Sequence, residues 1–383
     1  MTLEHFVGGN RLRLLKNGEE YFPAMLAAIE AAEHSIYLET YIFEADETGR
    51  QFLEMLSAAA ARGVVVRVML DGFGSAHFPR SWVDALRTAG VEVLWFRRKI
   101  SPLTLKRSRL RRLHRKLAVI DGEIAFVGGI NIINDVPAEV SAAPRLDYAV
   151  RIDGALAGDV HAVMRRLWGM VSWTLLHHHG RRWRWRDAVR RPMDEQVALV
   201  LRDNIRHRRD IERAYLKAMR GAQREIIIAN AYFLPGRVFR RTLRLAARRG
   251  IRVVLLLQGK VEYRLQHYAT HALYEQLLSA GVEIYEYQPS YLHAKVAVVD
   301  GCWATVGSSN IDPFSLFLSR EANLLVRDEA FAGQLRTSLL QAIQQDARRI
   351  RKGEEGWVMR KLAYLSYGFL RFLAGLAGVS RRH

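Results

Sequence analysis

The chain of 383 residues contains an internal repeat, which limits its possible folds more than any other feature. Three segments recur in the same order in the two halves: residues 34–43 match 224–233, residues 62–70 match 249–257, and residues 89–96 match 280–287. The matched segments are rich in β-branched and aromatic residues, and helix-periodic stretches lie between them. We therefore predict an α/β fold of two pseudo-twofold-related lobes, each a mixed β-sheet flanked by helices.

The same motif follows the third match in each half. It consists of a His, a Lys two positions later, an Asp five positions after the Lys, and an Asn ten positions after the Asp. Its members are His114, Lys116, Asp121 and Asn131 in the first copy, and His293, Lys295, Asp300 and Asn310 in the second. The separation between copies falls from 191 residues at the third match to 179 at the motif, so the first copy carries an insert at roughly residues 97–109.

The composition of this motif is typical of a phosphate site. His and Lys two positions apart in a strand project from the same face, so an imidazole and an ammonium group would line one wall of a pocket. Lys and Asn donors can clamp the nonbridging oxygens, while the imidazoles attack phosphorus and protonate the leaving oxygen. A single such pair is usually structural, but two at equivalent points of a repeat favour catalysis, with the active site at the lobe interface. No residue cluster indicates a metal, and no cofactor is expected.

The charge of the chain points to an anionic partner. It has 58 Lys plus Arg against 39 Asp plus Glu, a formal net charge of +19, and 50% of its residues are hydrophobic. A disordered chain is therefore excluded, and a large core is expected. The single cysteine, Cys302, excludes an internal disulfide and a zinc-finger framework, and indicates either a reducing compartment or a protein indifferent to redox conditions.

No segment of the sequence reads as a membrane span or an export signal. The longest stretch without Lys, Arg, Asp or Glu is residues 167–180, which is shorter than a spanning helix requires. The first thirty residues lack the continuous apolar region and cleavage site of a signal peptide. We therefore expect the protein on the cytosolic side of the cell.

The duplicated motif resembles that of the phospholipase D superfamily, and the resemblance covers roughly residues 10–345. Residues 41–49, 232–235 and 307–323 are similar to the bacterial cardiolipin synthase branch, of the type without N-terminal transmembrane helices. The resemblance implies a two-step transfer without a cofactor. One phosphatidylglycerol loses glycerol to form a phosphatidyl-histidine, and the hydroxyl of a second phosphatidylglycerol takes the phosphatidyl group.

The resemblance also implies a role for each motif residue. His114 would be the nucleophile and His293 the general acid and later the base, although the similarity of the two motifs leaves this order open. Lys116, Lys295, Asn131 and Asn310 would bind the phosphate. Asp121 and Asp300 complete the candidate catalytic set, and we expect them to brace the motif rather than to do chemistry.

Each imidazole also needs a partner that holds its other nitrogen. Glu321 lies where the family places the carboxylate of the second motif, and Asp147 is its counterpart for His114. The alternative for both is an ordinary surface or capping carboxylate. Ser319 stands where the family usually has Asn, so the acceptor side of the pocket is less well defined.

We divide the chain into four parts: a first lobe at 1–180, a basic Trp- and Arg-rich connection at 181–195, a second lobe at 196–345, and a basic amphipathic tail at 346–383. The basic clusters are the 97–116 stretch, the connection, the helix beginning near Arg237, and the tail. Each could be a solvated face or a contact with anionic headgroups. The tail could lie in the membrane interface or pack on the catalytic body.

Three functions remain open at this point. The favoured one is a peripheral phosphatidyl transferase, with phosphatidylglycerol as substrate and the cytoplasmic face of the cell membrane as its surface. The second is a nuclease or other phosphodiesterase of the same superfamily, since basic and aromatic clusters also suit nucleic acid. The third, a noncatalytic lipid binder, would require both motifs to be relics. Nucleic acid is not the expected partner, and the acceptor alcohol and the oligomeric state stay open.

Overall fold

A computed structural model of the protein describes residues 5–97, 111–137, 143–174, 196–203, 207–312, 319–354 and 357–376. The insert at 97–109, apart from Arg97, and the connection at 181–195 lie outside the described residues. None of the described helices is long and apolar enough to cross a membrane.

The first lobe contains eight strands and four helices among its described residues. The strands are β1 (Asn10–Lys16), β2 (Ser35–Thr40), β3 (Val65–Asp71), β4 (Glu92–Phe96), β5 (Arg112–Leu113), β6 (Lys116–Ile120), β7 (Ile124–Gly128) and β8 (Tyr148–Gly154). The helices are α1 (Asn17–Glu30), α2 (Glu47–Ala61), α3 (Arg80–Thr88) and α4 (Ala155–Thr174).

The second lobe repeats this arrangement. Its strands are β9 (Gln196–Arg202), β10 (Glu225–Asn230), β11 (Arg252–Gln258), β12 (Glu283–Tyr287), β13 (Lys295–Val299), β14 (Trp303–Gly307), β15 (Ser319–Arg327) and β16 (Ala347–Ile350). Its helices are α5 (Asp210–Gly221), α6 (Arg237–Arg248), α7 (Arg264–His271), α8 (Tyr274–Leu278), α9 (Glu329–Asp346) and α10 (Trp357–Leu376).

The strand order confirms the two-lobe α/β prediction. The first sheet runs β1-β8-β7-β6-β2-β3-β4, and the second contains the equivalent order β9-β15-β14-β13-β10-β11-β12. In both sheets the three strands of the matched segments are parallel and the motif hairpin pairs antiparallel to them. The sheets are therefore mixed, and helices cover both of their faces.

The strands at the centre of each sheet are buried on both faces, which explains their continuous apolar sequences. In β11, Val253 and Leu255 pack under the outer helices of the second lobe, while Val254 and Leu256 face a central core that both lobes share. The central core also takes in the apolar faces of α4 and α9. Each sheet thus lies between an outer helical layer and the core common to both lobes.

The tail begins later than the boundary at residue 346 suggests. Residues 347–350 form β16, which pairs antiparallel with β12 and therefore belongs to the second sheet. Helix α10 packs against α7, and its Ala363 and Leu370 are buried. Of the two alternatives for the tail, packing on the body is therefore confirmed for one face of α10.

The two lobes join through reciprocal strand contacts next to the two motifs. Strand β5 of the first lobe pairs in parallel with the start of β15 in the second. Conversely, Leu146, just before β8, forms a parallel bridge with Leu292 of the second lobe. Each contact places one motif histidine beside a strand of the other copy, so the site forms where the lobes meet.

Candidate active site

The two motif histidines each contact a carboxylate from the opposite copy. His114 Nδ1 lies 3.1 Å from Glu321 Oε2, and His293 Nδ1 lies 2.6 Å from Asp147 Oδ2. The expectation that Asp147 serves His114 and Glu321 serves His293 is therefore wrong. The two carboxylates are the predicted ones, but they are exchanged between the histidines.

Backbone geometry explains this exchange. His114 N donates to the carbonyl of Arg320, and His293 N donates to the carbonyl of Leu146, at 3.0 and 2.9 Å. The accepting residue directly precedes Glu321 in one case and Asp147 in the other. Because the strand that meets each histidine belongs to the other lobe, the nearest carboxylate is also from that lobe.

Both motif lysines lie close enough to the two histidines for their charges to act on both imidazoles, and we call the space between these four side chains the pocket. Lys116 Nζ donates to the carbonyl of His114 at 2.7 Å, and Lys295 makes the equivalent bond to His293. Burial, and then repulsion from Lys295, lower the pKa of Lys116 to about 7, and burial also lowers the pKa of Lys295. An ammonium has three donors, so each lysine keeps two for a ligand. A bound phosphodiester anion would offset the repulsion and favour both charged forms.

The imidazoles are held in a form suited to nucleophilic attack. Burial lowers the pKa of His114, and burial together with the charges of Lys295 and Lys116 holds the pKa of His293 well below its usual range. A carboxylate only accepts hydrogen bonds, so Nδ1 of each ring is the donor in its pair. Nε2 of each ring is then left to bond phosphorus or to exchange a proton with the substrate.

Asp147 differs from Glu321 in its surroundings. Burial raises the pKa of Asp147 to about 6, although the charge of Lys295 and the hydrogen bond donated by the Tyr148 amide both act to lower it. A Cβ added at Gly129 would lie 2.4 Å from Asp147 Oδ1, so glycine is required there for the carboxylate to fit. The second copy has Ser308 at the equivalent position, and its hydroxyl donates to Glu321 Oε2 at 2.6 Å.

The motif asparagines lie at the ends of the hairpins that carry the lysines. Asn131 and Asn310 are both buried. Asn131 Oδ1 accepts from the amide of Ile42 at 3.2 Å, whereas Asn310 Oδ1 has no hydrogen-bond partner among the described residues. Lys116 pairs with Gly128, the last residue of β7, and Asn131 comes three residues after it. The asparagine therefore follows the end of the hairpin at which the lysine lies. Phosphate binding by either amide stays a prediction.

Asp121 and Asp300 lie outside the pocket, at the far ends of the strands that begin with the lysines. Asp121 accepts from the amides of residues 33, 34 and 35, and Asp300 accepts from those of residues 223, 224 and 225. Each thus fixes the start of a central strand from a turn in which it has a positive φ, 51° and 54°. The prediction that Asp121 and Asp300 belong to the catalytic set is wrong, whereas the expectation that they brace the motif agrees with this geometry.

Sequence reasoning missed two further groups around His114. The ring of Tyr41 lies edge-on to the imidazole, with centroids 4.7 Å apart, and Lys116 Nζ lies 5.2 Å from the centre of the same ring. The buried Asp71 accepts from the amide of Leu113 at 2.7 Å, which fixes the strand that leads into the motif. Tyr41 lies in the matched segment 34–43, and Asp71 directly follows the matched segment 62–70. Their positions in the repeat were therefore the available signal in the sequence.

Two facing imidazole–carboxylate pairs and two lysines, at the junction of two duplicated lobes, define a phosphodiester-transfer protein of the phospholipase D type. The family model for "Cardiolipin synthase, PLD-like domain" matches residues 25–155 and 215–343. The chain therefore belongs to the cardiolipin synthase family of phospholipase D-like proteins, and it is an enzyme of the phosphatidyl-transferase class.

Similar proteins cover almost the whole chain. Cardiolipin synthase B of Shigella flexneri and that of Escherichia coli strain K12 are each 40% identical over 377 residues, which is 97% of this chain and 90% of theirs. Among solved structures, phosphatidylserine synthase of Haemophilus influenzae Rd KW20 has the same fold. Its TM-score is 0.69 at 15% identity, with 95% of this chain and 93% of that chain covered.

Proposed function

We propose that this enzyme transfers a phosphatidyl group from one phosphatidylglycerol to another, which yields cardiolipin and glycerol. The observation that carries the proposal is the pair of cross-lobe contacts, His114 with Glu321 and His293 with Asp147, facing Lys116 across one pocket. The substrate class comes from the similarity to the cardiolipin synthases, and the chemistry follows from the groups present.

In the first step, His114 Nε2 attacks phosphorus and the bond to the glycerol oxygen breaks. His293 enters this step with a proton on Nε2 as well, a form that the bound phosphodiester anion and Asp147 favour, and gives that proton to the departing glycerol oxygen. The proton that His293 takes up in the second step restores this form. The lysines and the motif amides Asn131 and Asn310 neutralise the nonbridging oxygens. The product of this step is a phosphatidyl-histidine at His114 and free glycerol.

In the second step, His293 accepts the proton of a primary hydroxyl of another phosphatidylglycerol. That oxygen attacks phosphorus, the bond to His114 Nε2 breaks, and the imidazole returns to its starting state. Atoms and charges balance without an added cofactor. Exclusion of water from the pocket then decides between transfer and hydrolysis.

The test is conversion of phosphatidylglycerol vesicles by the purified full-length chain. We expect cardiolipin and glycerol in equal amounts, measured by mass spectrometry of the lipids and an assay for free glycerol. Parallel vesicles with phosphatidylethanolamine or added polyols reveal the acceptor alcohol. Absence of any lipid product together with cleavage of DNA or RNA would contradict the proposal in favour of a nuclease.

We further propose that the enzyme works while docked on the cytoplasmic face of the cell membrane, with α10 as part of the docking surface. Four large apolar side chains at helical spacing form an exposed ridge on α10 opposite its packed face: Leu362, Leu365, Phe369 and Phe372, exposed by 42%, 74%, 51% and 62%. Lys361 and Arg371 are exposed on the same helix. An apolar ridge with adjacent cations is typical of helices that bind anionic bilayers.

Two further exposed residues lie just before α7, the helix on which α10 packs. Val261 and Tyr263 are 46% and 57% exposed. Burial and Asp71 are the main causes that raise the pKa of Tyr41, the ring beside His114, and Tyr263 contributes to a smaller extent. We include Val261 and Tyr263 in the proposed docking surface.

Glutamate in the ridge should weaken vesicle binding. Insertion of each large apolar side chain contributes about 1.5–3 kcal/mol, so Leu365→Glu with Phe369→Glu should lower partition onto phosphatidylglycerol vesicles by about 100-fold or more. Turnover of detergent-dispersed substrate should stay near wild type. Sedimentation with vesicles and the detergent assay measure the two effects.

The matched control for this experiment is Tyr364→Glu. Tyr364 is 59% exposed on the same helix but lies roughly 100° around the axis from Leu365. It introduces the same charge as Leu365→Glu alone, one position away, so its partition should fall far less than that of this single variant. Equal loss in the control would mean that charge alone, and not the ridge, determines binding.

A further inference from the structure

The two copies differ in the residue that follows their first central strand. Tyr41, whose ring contacts His114, comes directly after β2, and Ala231 occupies the equivalent position of the repeat, directly after β10. The ring of Tyr41 is seated on Gly74, where an added Cβ would lie 2.7 Å from a ring carbon. By the correspondence of the repeat, the methyl group of Ala231 leaves space beside His293 that the tyrosine ring fills beside His114.

Ala231 forms part of the wall of a cleft that extends from the end of β10 to α7. The cleft has about 340 Å³ of space free of protein atoms, part of it open to solvent. We call it the Ala231 cleft, and its polar walls are formed by Tyr232, Gln258, Lys260, Glu262 and Gln266.

Hydrogen bonds join the Ala231 cleft to the chain on both sides of His293. The amide of Ala231 donates to the carbonyl of Ala294 at 3.0 Å. The side chain of Gln258 accepts at Oε1 from the amide of Leu292 at 2.9 Å. Two residues of the cleft wall are therefore bonded to the direct neighbours of the motif histidine, one before it and one after it.

Two polar atoms in the wall of the cleft lack hydrogen-bond partners. Only 8% of Gln258 is exposed, and its Nε2 makes no hydrogen bond to any described residue. Oε1 of Gln266 is also buried and has no partner within the same part of the chain. Buried donors and acceptors are normally satisfied, so this pair points to a ligand that supplies both an acceptor and a donor. A hydroxyl group does both, whereas an ammonium group only donates.

The charges on the cleft wall suit an uncharged ligand. Lys260 and Glu262 have opposite formal charges, which offset each other. Glu262 Oε2 accepts from the hydroxyl of Tyr232, and a carboxylate has further lone pairs that the hydroxyls of a ligand can use. A polyol with neighbouring hydroxyls matches this set of groups.

We propose that the Ala231 cleft is the subsite for the glycerol headgroup, which it holds beside His293 through the hydroxyls that do not react. The departing glycerol occupies the cleft in the first step, and the headgroup of the second phosphatidylglycerol occupies it in the second step. One subsite serves both steps, because each places a glycerol oxygen between phosphorus and His293. The inference rests on the proposed function for the reaction, and it adds the chemical class of the acceptor.

The experiment supplies the acceptor in solution. Detergent-dispersed phosphatidyl-p-nitrophenol forms the phosphatidyl-enzyme without glycerol, and glycerol, ethanol or ethanolamine then competes with water for the phosphatidyl group. Ethanol carries only the hydroxyl that reacts, and ethanolamine carries an ammonium in place of a second hydroxyl. We therefore expect the wild-type enzyme to have a lower KM for glycerol than for either of the others, measured by mass spectrometry of the lipid products.

Conservative variants of the two glutamines test the contacts. Gln266→Met keeps the length of the side chain and removes the acceptor. Gln258→Glu keeps an oxygen for the amide of Leu292 and removes the donor, and the equivalent residue of the first copy, Asp71, is a carboxylate that accepts the same backbone bond. Each variant should raise the KM for glycerol by about 3- to 10-fold, the contribution of one hydrogen bond, and the KM for ethanol far less.

Ala231→Tyr tests the space itself. The first copy accommodates tyrosine at the equivalent position, and the ring would fill the cleft beside His293. The ratio of phosphatidylglycerol to phosphatidylethanol should fall about tenfold or more. If this variant fails to fold, the two glutamine variants still decide the proposal.

Gln276→Met is the matched control for Gln266→Met. Gln276 lies on α8, is exposed, and accepts from Arg240 at 3.4 Å outside the lining of the cleft. It should keep the wild-type KM for glycerol. A rise equal to that of Gln266→Met would mean that the effect does not come from the cleft, and would overturn the proposal.

The remaining outcomes separate the subsite from the proposed function. Equal KM values for glycerol and ethanol in wild type, transfer to neither, or a preference for ethanolamine would overturn the subsite. So would an unchanged KM for glycerol in both glutamine variants, even if phosphatidylglycerol vesicles yield cardiolipin. If glycerol is preferred and the variants lose this preference, but the vesicles yield no cardiolipin, the proposed function fails and the subsite stands.

Discussion

Replacement of either motif histidine by alanine is expected to abolish cardiolipin formation, by about 10³-fold or more in kcat. His114 would supply the atom that bonds phosphorus, and His293 the proton that glycerol requires. The side chains of His114 and His293 keep 14% and 19% exposure, so neither is fully enclosed and the fold should tolerate their loss. Circular dichroism and thermal unfolding check this, and product analysis on phosphatidylglycerol vesicles measures the activity.

The leaving group separates the two roles. p-Nitrophenolate is a much weaker base than glycerol alkoxide and leaves without a proton. With phosphatidyl-p-nitrophenol, His293→Ala should therefore give a burst of one p-nitrophenolate per enzyme and a phosphatidyl adduct on His114, visible by mass spectrometry. His114→Ala should give no burst. A burst in His114→Ala and none in His293→Ala would reverse the assignment of nucleophile and acid.

Neutral substitutes for the two carboxylates should give different results with the same two substrates. Asp147→Asn removes the partner of His293, so turnover of phosphatidylglycerol should fall about 10²-fold while the p-nitrophenolate burst keeps its rate within about threefold. Glu321→Gln removes the partner of His114, so it should slow the burst as well as turnover. Rapid-mixing absorbance measurements give the burst rate.

This comparison also tests the exchange of carboxylates between the lobes. If each carboxylate served the histidine of its own copy, Asp147→Asn would slow the burst and Glu321→Gln would spare it. Ser338→Ala is a suitable control, because Ser338 bonds to the hydroxyl of Tyr148, the residue next to Asp147, without reaching the pocket. It should leave the burst and the turnover unchanged.

The repeat made the fold predictable. Matched strands and spacers indicate two mixed sheets, and the identical positive-φ turns at Asp121 and Asp300 show how closely the copies correspond. The histidines and lysines were also predictable, because two equal motifs in equivalent positions of a repeat are difficult to explain structurally. Both carboxylates were identified as well, but from the resemblance to the family and not from spacing.

The contact between each histidine and the carboxylate of the other copy could not be predicted from the sequence of any single strand. Which carboxylate meets His114 depends on how β5 lies along β15, a contact between segments about 200 residues apart. The α10 helix shows another limit, since its composition suits burial and membrane contact equally, and the structure packs one face on α7 and leaves another apolar face exposed.

The exchanged pairs make each half of the chain dependent on the other. A single copy of the motif holds a histidine without its carboxylate, so neither half could form a complete imidazole–carboxylate pair by itself. Two identical copies related by a twofold axis would satisfy each other, as in an isologous homodimer. A single chain that contains both copies has no requirement for identity, and positions such as Gly129 and Ser308 differ between them. Covalent linkage thus allows the surroundings of two geometrically equivalent histidines to differ.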